Sequence, residues 1–349
     1  MPLPPMSRLL PGLLKLNLGV QILIVVTGGL VRLTGSGLGC PEWPTCDSGS
    51  VTPIFRPEDG IHPYVEFGNR LVGVVVGLVA VALLLAVWRG AVGRARGRML
   101  ALAALILAGT LAQAVLGGIS VITELNPATV MAHFIISAVL ISVSTLLLLT
   151  YLQTGGRASA SETHLPPPLP GVVQVLAVVT AFVGSVVIVL GTIVTGSGPH
   201  SGDADQPARF GFDPRTVAWL HADSVMLFVG LVVAMVVVTS VLPPAMTTRR
   251  PDIRRPWRLV LTVSLAQGVL GYLQYATGVP VPLVSLHMLG ACLLVTTLTW
   301  GVYSVLVLNA SAAVAASLGQ REIEQRIDGD AQEDQREITD GVVKEPHRT

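Results

Sequence analysis

Eight apolar runs of about twenty residues each decide what this chain can fold into. They fall near residues 15–33, 64–88, 99–119, 129–151, 171–195, 215–241, 258–277 and 283–309. About 20 residues of helix cross a hydrocarbon core of about 30 Å. In lipid, every backbone N–H and C=O must find its partner inside the segment, so runs of this kind become helices. Composition agrees: charged residues make up 12% of the 349 and the mean hydropathy is +0.68, against about 25% charged in soluble domains. The expected fold is all-α, an integral membrane protein of eight transmembrane helices. A net charge of +1 gives no electrostatic basis for binding nucleic acid. The first run follows Arg8 and Lys15 and has no small-residue cleavage site after it, so it reads as a retained span.

Basic residues in short loops set the expected orientation. Arg89, Arg94, Arg96 and Arg98 lie between runs two and three, and Arg249, Arg250, Arg254, Arg255 and Arg258 between runs six and seven. The opposite loops carry Glu42, Asp47, Glu58, Asp59, Asp203, Asp205 and Asp213. Both termini are therefore expected in the cytoplasm, with even-numbered helices entering from outside.

The chain repeats itself. Ala112-Gln113 precedes Val115-Leu116-Gly117 and reaches His133; Ala266-Gln267 precedes Val269-Leu270-Gly271 and reaches His287, with the same twenty-residue spacing from Gln to His. Thr34-Gly35-Ser36-Gly37 is matched by Thr195-Gly196-Ser197-Gly198, and Asn69 by His221. Four helices per half is an even number, so both halves have one orientation and are related by an axis along the membrane normal. The expected units are a bundle over 1–151, a cytoplasmic linker over 152–170, a second bundle over 171–309 and a charged, solvated tail over 310–349.

His133, His221 and His287 each sit about 7 Å below the outer end of an even helix, at about 1.5 Å per residue. Ionisable residues in spans are costly and face bundle interiors. One such His could simply bond a neighbouring helix; three at one depth in a duplicated frame point to a metal, and two from facing helices suit axial ligation of a heme. Zinc would want more ligands nearby. His221 and His287 can form a closed pair, whereas His133 is matched with Asn69, a poor iron ligand. Glu66, Asn69 and Arg70 share a helix face. Glu66 reads either as an ion-pair partner of Arg70 or as a base or charge stabiliser beside a bound substrate. Cys40 and Cys46 lie in an external loop and are expected to pair, for structure or for redox work. His200 lies in an external loop where it could reach a heme propionate. Cys292 reads as packing, and His62, His164 and His347 as loop or tail residues without a role.

Together these motifs resemble the heme A synthase family. The resemblance rests on Gly29-Leu30-Val31-Arg32-Leu33-Thr34, Ser36-Gly37-Leu38, Cys40-Pro41-Glu42-Trp43-Pro44, Glu66-Phe67-Gly68-Asn69-Arg70, Gln113 through His133, Gly198-Pro199-His200-Ser201-Gly202-Asp203, His221, and Gln267 through His287. It covers about residues 15–309, and Asn69 stands where many members carry His. The resemblance implies two four-helix bundles in the cell membrane and oxidation of the ring methyl of heme O to a formyl by successive hydroxylations. It implies heme b held by His221 and His287 as cofactor, heme O as substrate at His133, Asn69 and Arg70, and Glu66 as the catalytic carboxylate. The expected partners are the bilayer, the enzyme that supplies heme O and the assembly of cytochrome oxidase; self-association is also allowed. The competing readings are a non-catalytic di-heme electron carrier of cytochrome b type and a transporter built on the repeat.

Overall fold

The computed structural model describes residues 6–54, 56–91, 93, 95–154, 169–200, 202–203, 208–243 and 253–306. The helices are α1 (Met6–Leu33), α2 (His62–Gly90), α3 (Arg96–Ile122), α4 (Pro127–Thr154), α5 (Gly171–Ser197), α6 (Pro214–Val241), α7 (Arg254–Ala276) and α8 (Val281–Leu306). Each is long and apolar enough to cross a membrane. This is a multi-pass, all-helical membrane protein. Most helices begin a few residues before the apolar run, because polar end turns continue past the hydrocarbon. His62, expected in a loop, is instead the first residue of α2. Pro63 follows it at the helix start, where a fixed φ favours the first turn.

In the first half, α1 packs on α2, α2 on α3, α3 on α4, and α4 back on α1. The ring places α2 diagonally across from α4. Its densest apolar layer, including Leu14, Leu83, Ile106 and Leu147, lies toward the end that carries Arg89, Arg96 and Arg98, called the basic end below. The second half has its own core, with Val173 on α5, Phe228 and Met235 on α6, Trp257 on α7 and Val305 on α8. The two halves are pseudo-twofold-related four-helix bundles. They meet along α1, α4 and α8, where Val25, Ile141 and Cys292 are buried with Phe134 and Met288 against them. Cys292 is a packing residue there.

Lipid gives apolar helices little reason to associate, so packing and interhelical hydrogen bonds hold such bundles. Leu298 and Phe228 fill the space over Gly184, and Thr299 on α8 donates to Ser142 on α4 at 3.2 Å. At the opposite end, the loop end, the halves are tied directly. Arg32 donates through Nη2 to the Thr195 carbonyl at 2.8 Å, and the Gly37 amide donates to the Gly202 carbonyl at 2.9 Å. Residues 155–168, which hold most of the expected linker and His164, and residues 307–349, which hold the tail and His347, lie outside the described residues.

Candidate functional site

The repeated Gln-to-His spacing has a simple physical meaning. Gln113 Nε2 donates to the His133 carbonyl at 2.8 Å, and Gln267 Nε2 donates to the His287 carbonyl at 2.8 Å. Each bond staples an odd helix to the next even helix at the turn that presents the imidazole. In the first half, Gln113 also donates to Ser137 Oγ at 2.6 Å.

Each of the four matched positions lies against a glycine of the preceding odd helix. A Cβ on Gly28 would stand 3.8 Å from Asn69 Nδ2, one on Gly117 3.4 Å from His133 Nε2, one on Gly191 3.3 Å from His221 Cε1, and one on Gly271 3.7 Å from His287 Cε1. The glycines leave room for these side chains to approach the neighbouring helix closely. His221 and His287 are close enough to interact electrostatically, and the Nδ1 of each is buried with no hydrogen-bond partner among the described residues. Asn69 differs: its Oδ1 accepts from Thr27 Oγ1 at 2.8 Å. The carboxamide oxygen is thus occupied from α1, and the Nδ2 donors remain.

Glu66 is buried and ties α2 to the first external loop. Its Oε1 accepts from Arg70 Nη2 at 2.7 Å and its Oε2 from the Cys40 amide at 2.7 Å. Arg70 in turn donates to the carbonyls of Thr45, Cys40 and Glu42 at 2.8, 3.0 and 3.1 Å. The ion pair expected as one reading of Glu66 is therefore present, and it is part of a clamp on the loop. Cys40 and Cys46 form a disulfide inside that loop. Trp43 lies over Gly118 of α3, which places the loop on the end of the first bundle. Glu42, outside the spans, accepts from the Gly49 amide and the Thr45 hydroxyl; these bonds hold its carboxyl below the ordinary carboxylate range.

Of the remaining candidates, His200 donates from Nε2 to the Val279 carbonyl at 3.0 Å, so that ring pins the α7–α8 turn. His62 Nδ1 lies 2.9 Å from Ser36 Oγ. Asp213 caps α6 through Thr216. The sequence reading did not assign Thr27, Arg32 or the four glycines. The glycines at Gly117 and Gly271 were legible within the repeat; Thr27 was not, because nothing in α1 marks its partner on α2.

A family model described as cytochrome oxidase assembly protein, COX15-CtaA, matches residues 12–299. The chain belongs to this family. Among curated relatives, the "Heme A synthase" of Geobacillus thermodenitrificans is 33% identical over 164 residues, 45% of this chain and 49% of that one. Those of Bacillus pumilus and Shewanella oneidensis are 33% and 32% identical over 153 and 185 residues, covering 43% and 49% of this chain and 46% and 52% of theirs. The matched part thus spans about half the length of these relatives. The family match runs through both halves, so it takes in the His133 and Asn69 positions as well as the His221–His287 pair.

Proposed function

We propose that this chain is a heme A synthase serving cytochrome oxidase assembly, with a substrate half over 1–151 and a cofactor half over 171–309. The observation that carries the reading is the inequality of two matched sites. In the second half two imidazoles lie within electrostatic reach of each other, each with a buried nitrogen that has no partner among the described residues, and these two rings would hold a heme b. In the first half one imidazole is matched by an amide whose oxygen is already bonded to Thr27. Heme O iron held by His133 alone keeps an exchangeable position, and the Asn69 Nδ2 donors can orient a water there.

Bound heme b would supply one-electron redox chemistry. His221 and His287 would hold and orient it, Gly191 leaves the close space that the His221 ring occupies, and Gln267 fixes the turn carrying His287. In the first half, Gln113 fixes the turn carrying His133. Glu66 has both oxygens occupied by N–H donors, which suits a fixed negative charge beside a methyl carbon that develops positive charge better than a mobile base. Fixed charges of this kind are commonly worth about 10²–10³-fold in rate. The wall holding that charge is the disulfide loop, seated by Arg70; the loop's place in this scheme is structural. We place the protein in the cell membrane with its basic end cytoplasmic, next to the enzyme that supplies heme O, with His200 at the loop end within reach of a propionate.

The test is extraction of the bound hemes after expression with heme O available, read by mass spectrometry. Heme B together with heme O, a hydroxylated form or heme A is expected; heme B alone in both halves would replace this reading with the di-heme carrier. Glu66→Gln should retain both hemes and lower conversion about 10²-fold; conversion at the normal rate would remove Glu66 from the chemistry.

A further inference from the structure

Beneath His133 the first bundle contains a column of buried polar side chains. Ser137 lies one turn below His133 on α4, about 6 Å away along the axis at about 1.5 Å per residue, and takes the second bond from Gln113. Next, Gln21 Nε2 donates to Thr110 Oγ1 at 3.3 Å. Last, Asn17 Nδ2 donates to Ser144 Oγ at 2.9 Å, about 16 Å below His133. Asn17, Gln21 and Ser144 are 1%, 3% and 1% exposed. Below them the buried Leu10, Leu14 and Leu147 close the basic end.

The column has two open valences. Asn17 Oδ1 at its floor and Gln113 Oε1 at its top are buried with no hydrogen-bond partner among the described residues. Buried polar atoms are nearly always satisfied, and where protein gives no partner an ordered water does. Both atoms are acceptors, so the missing groups are donors.

The second bundle lacks the column. Gly28 faces Asn69 and Gly191 faces His221, so these glycines mark one layer. Seven residues back, Gln21 is matched by Gly184, which Phe228 and Leu298 cover. Eleven back, Asn17 is matched by Thr180, whose hydroxyl turns onto its own helix at the Leu176 carbonyl, 2.7 Å. On α8, Ala291 and Leu298 take the places of Ser137 and Ser144. The first half carries amides and cross-helix bonds in this layer, whereas the second half keeps only the hydroxyls of Thr180 and Ser264, each turned onto its own helix.

We propose that a file of bound water runs along the α1/α3/α4 seam of the first bundle, from Asn17 to Gln113, sealed at the basic end and reaching the turn that carries His133. Its role rests on the substrate-half reading above: oxidation of a methyl group moves protons and water, and a half that would hold only an electron-transfer cofactor does not need them.

X-ray radiolytic labelling of the full chain in lipid nanodiscs, read by mass spectrometry, tests the file directly, because bound water generates the radicals that oxidise neighbouring side chains. After correction for intrinsic reactivity, peptides covering 14–21 and 137–144 should label several-fold faster than those covering 177–184 and 291–298. In N17T/S144L, which installs the second-half residues, the first-half rate should fall to the second-half rate. Equal labelling of the two seams in the unaltered protein, a comparison that needs no variant to fold, would overturn the proposal, as would undiminished labelling in the folded variant. Heme analysis of the same samples reads the substrate-half assignment separately, so failure of one is distinguishable from failure of the other.

Discussion

His221 and His287 share their space with Gly191 and Gly271, but not equally. A Cβ at Gly191 would meet the His221 ring at 3.3 Å, closer than ordinary contact, while one at Gly271 would meet His287 at 3.7 Å. Gly191→Ala should therefore tilt its imidazole and shift the optical spectrum and midpoint potential of the heme bound there, and Gly271→Ala should leave both near the parent values. Potentiometric titration of the two variants checks the contrast. Glu42 adds a pH dependence. Its carboxyl is depressed in the folded loop, so the order it confers is complete above the unfolded carboxylate value, about 4.3, and is lost as pH falls through the lower folded value. Amide protection at Gly49, corrected for intrinsic exchange, should decline at acid pH in the parent and show no such step in Glu42→Gln. The histidines were legible in the sequence because ionisable residues stand out in apolar runs. Their glycine seats were not assigned, because glycine is common in membrane helices and only three-dimensional proximity selects the four that matter.

Pairs of helices are the level at which the repeat acts. The Gln267 amide reaches back across the α7–α8 turn to the carbonyl of His287, and Gly290 leaves the space that Gln267 occupies. Interhelical hydrogen bonds in membranes average about 0.6 kcal/mol and reach about 1.7. Gln267→Leu should lower stability by about that amount in denaturant-titrated unfolding, and Gly290→Ala should match or exceed it by displacing the glutamine. A neutral result for both would mean that the bond orients nothing. The spacing itself was plain in the sequence, but its cause was not: nothing in the repeat marks a bond from the glutamine amide to the backbone carbonyl of the histidine.

Across the molecule, the eight spans and the two halves followed from hydropathy and from duplicated motifs, since both are properties of local sequence. The seam between halves did not, because it is built from groups without a sequence signature: an arginine on a carbonyl, two loop glycines, and apolar residues on three helices. Arg32→Met removes the bond to Thr195 while leaving each bundle's own core intact. Faster amide exchange is expected at residues 36–39 and 202–203, with exchange in the helix interiors unchanged, by hydrogen–deuterium exchange mass spectrometry. The clamp on the first external loop bears on how the chain is made. Synthesis delivers Cys40 and Cys46 before the helix that seats them, since Glu66 and Arg70 come twenty and twenty-four residues after Cys46. The sulfur bond can close within its own loop, but the loop has no dock until α2 arrives. Entry of α2 into the membrane is therefore the event that turns a tethered ring into a fixed wall, and a chain halted before it would carry the ring without its seat.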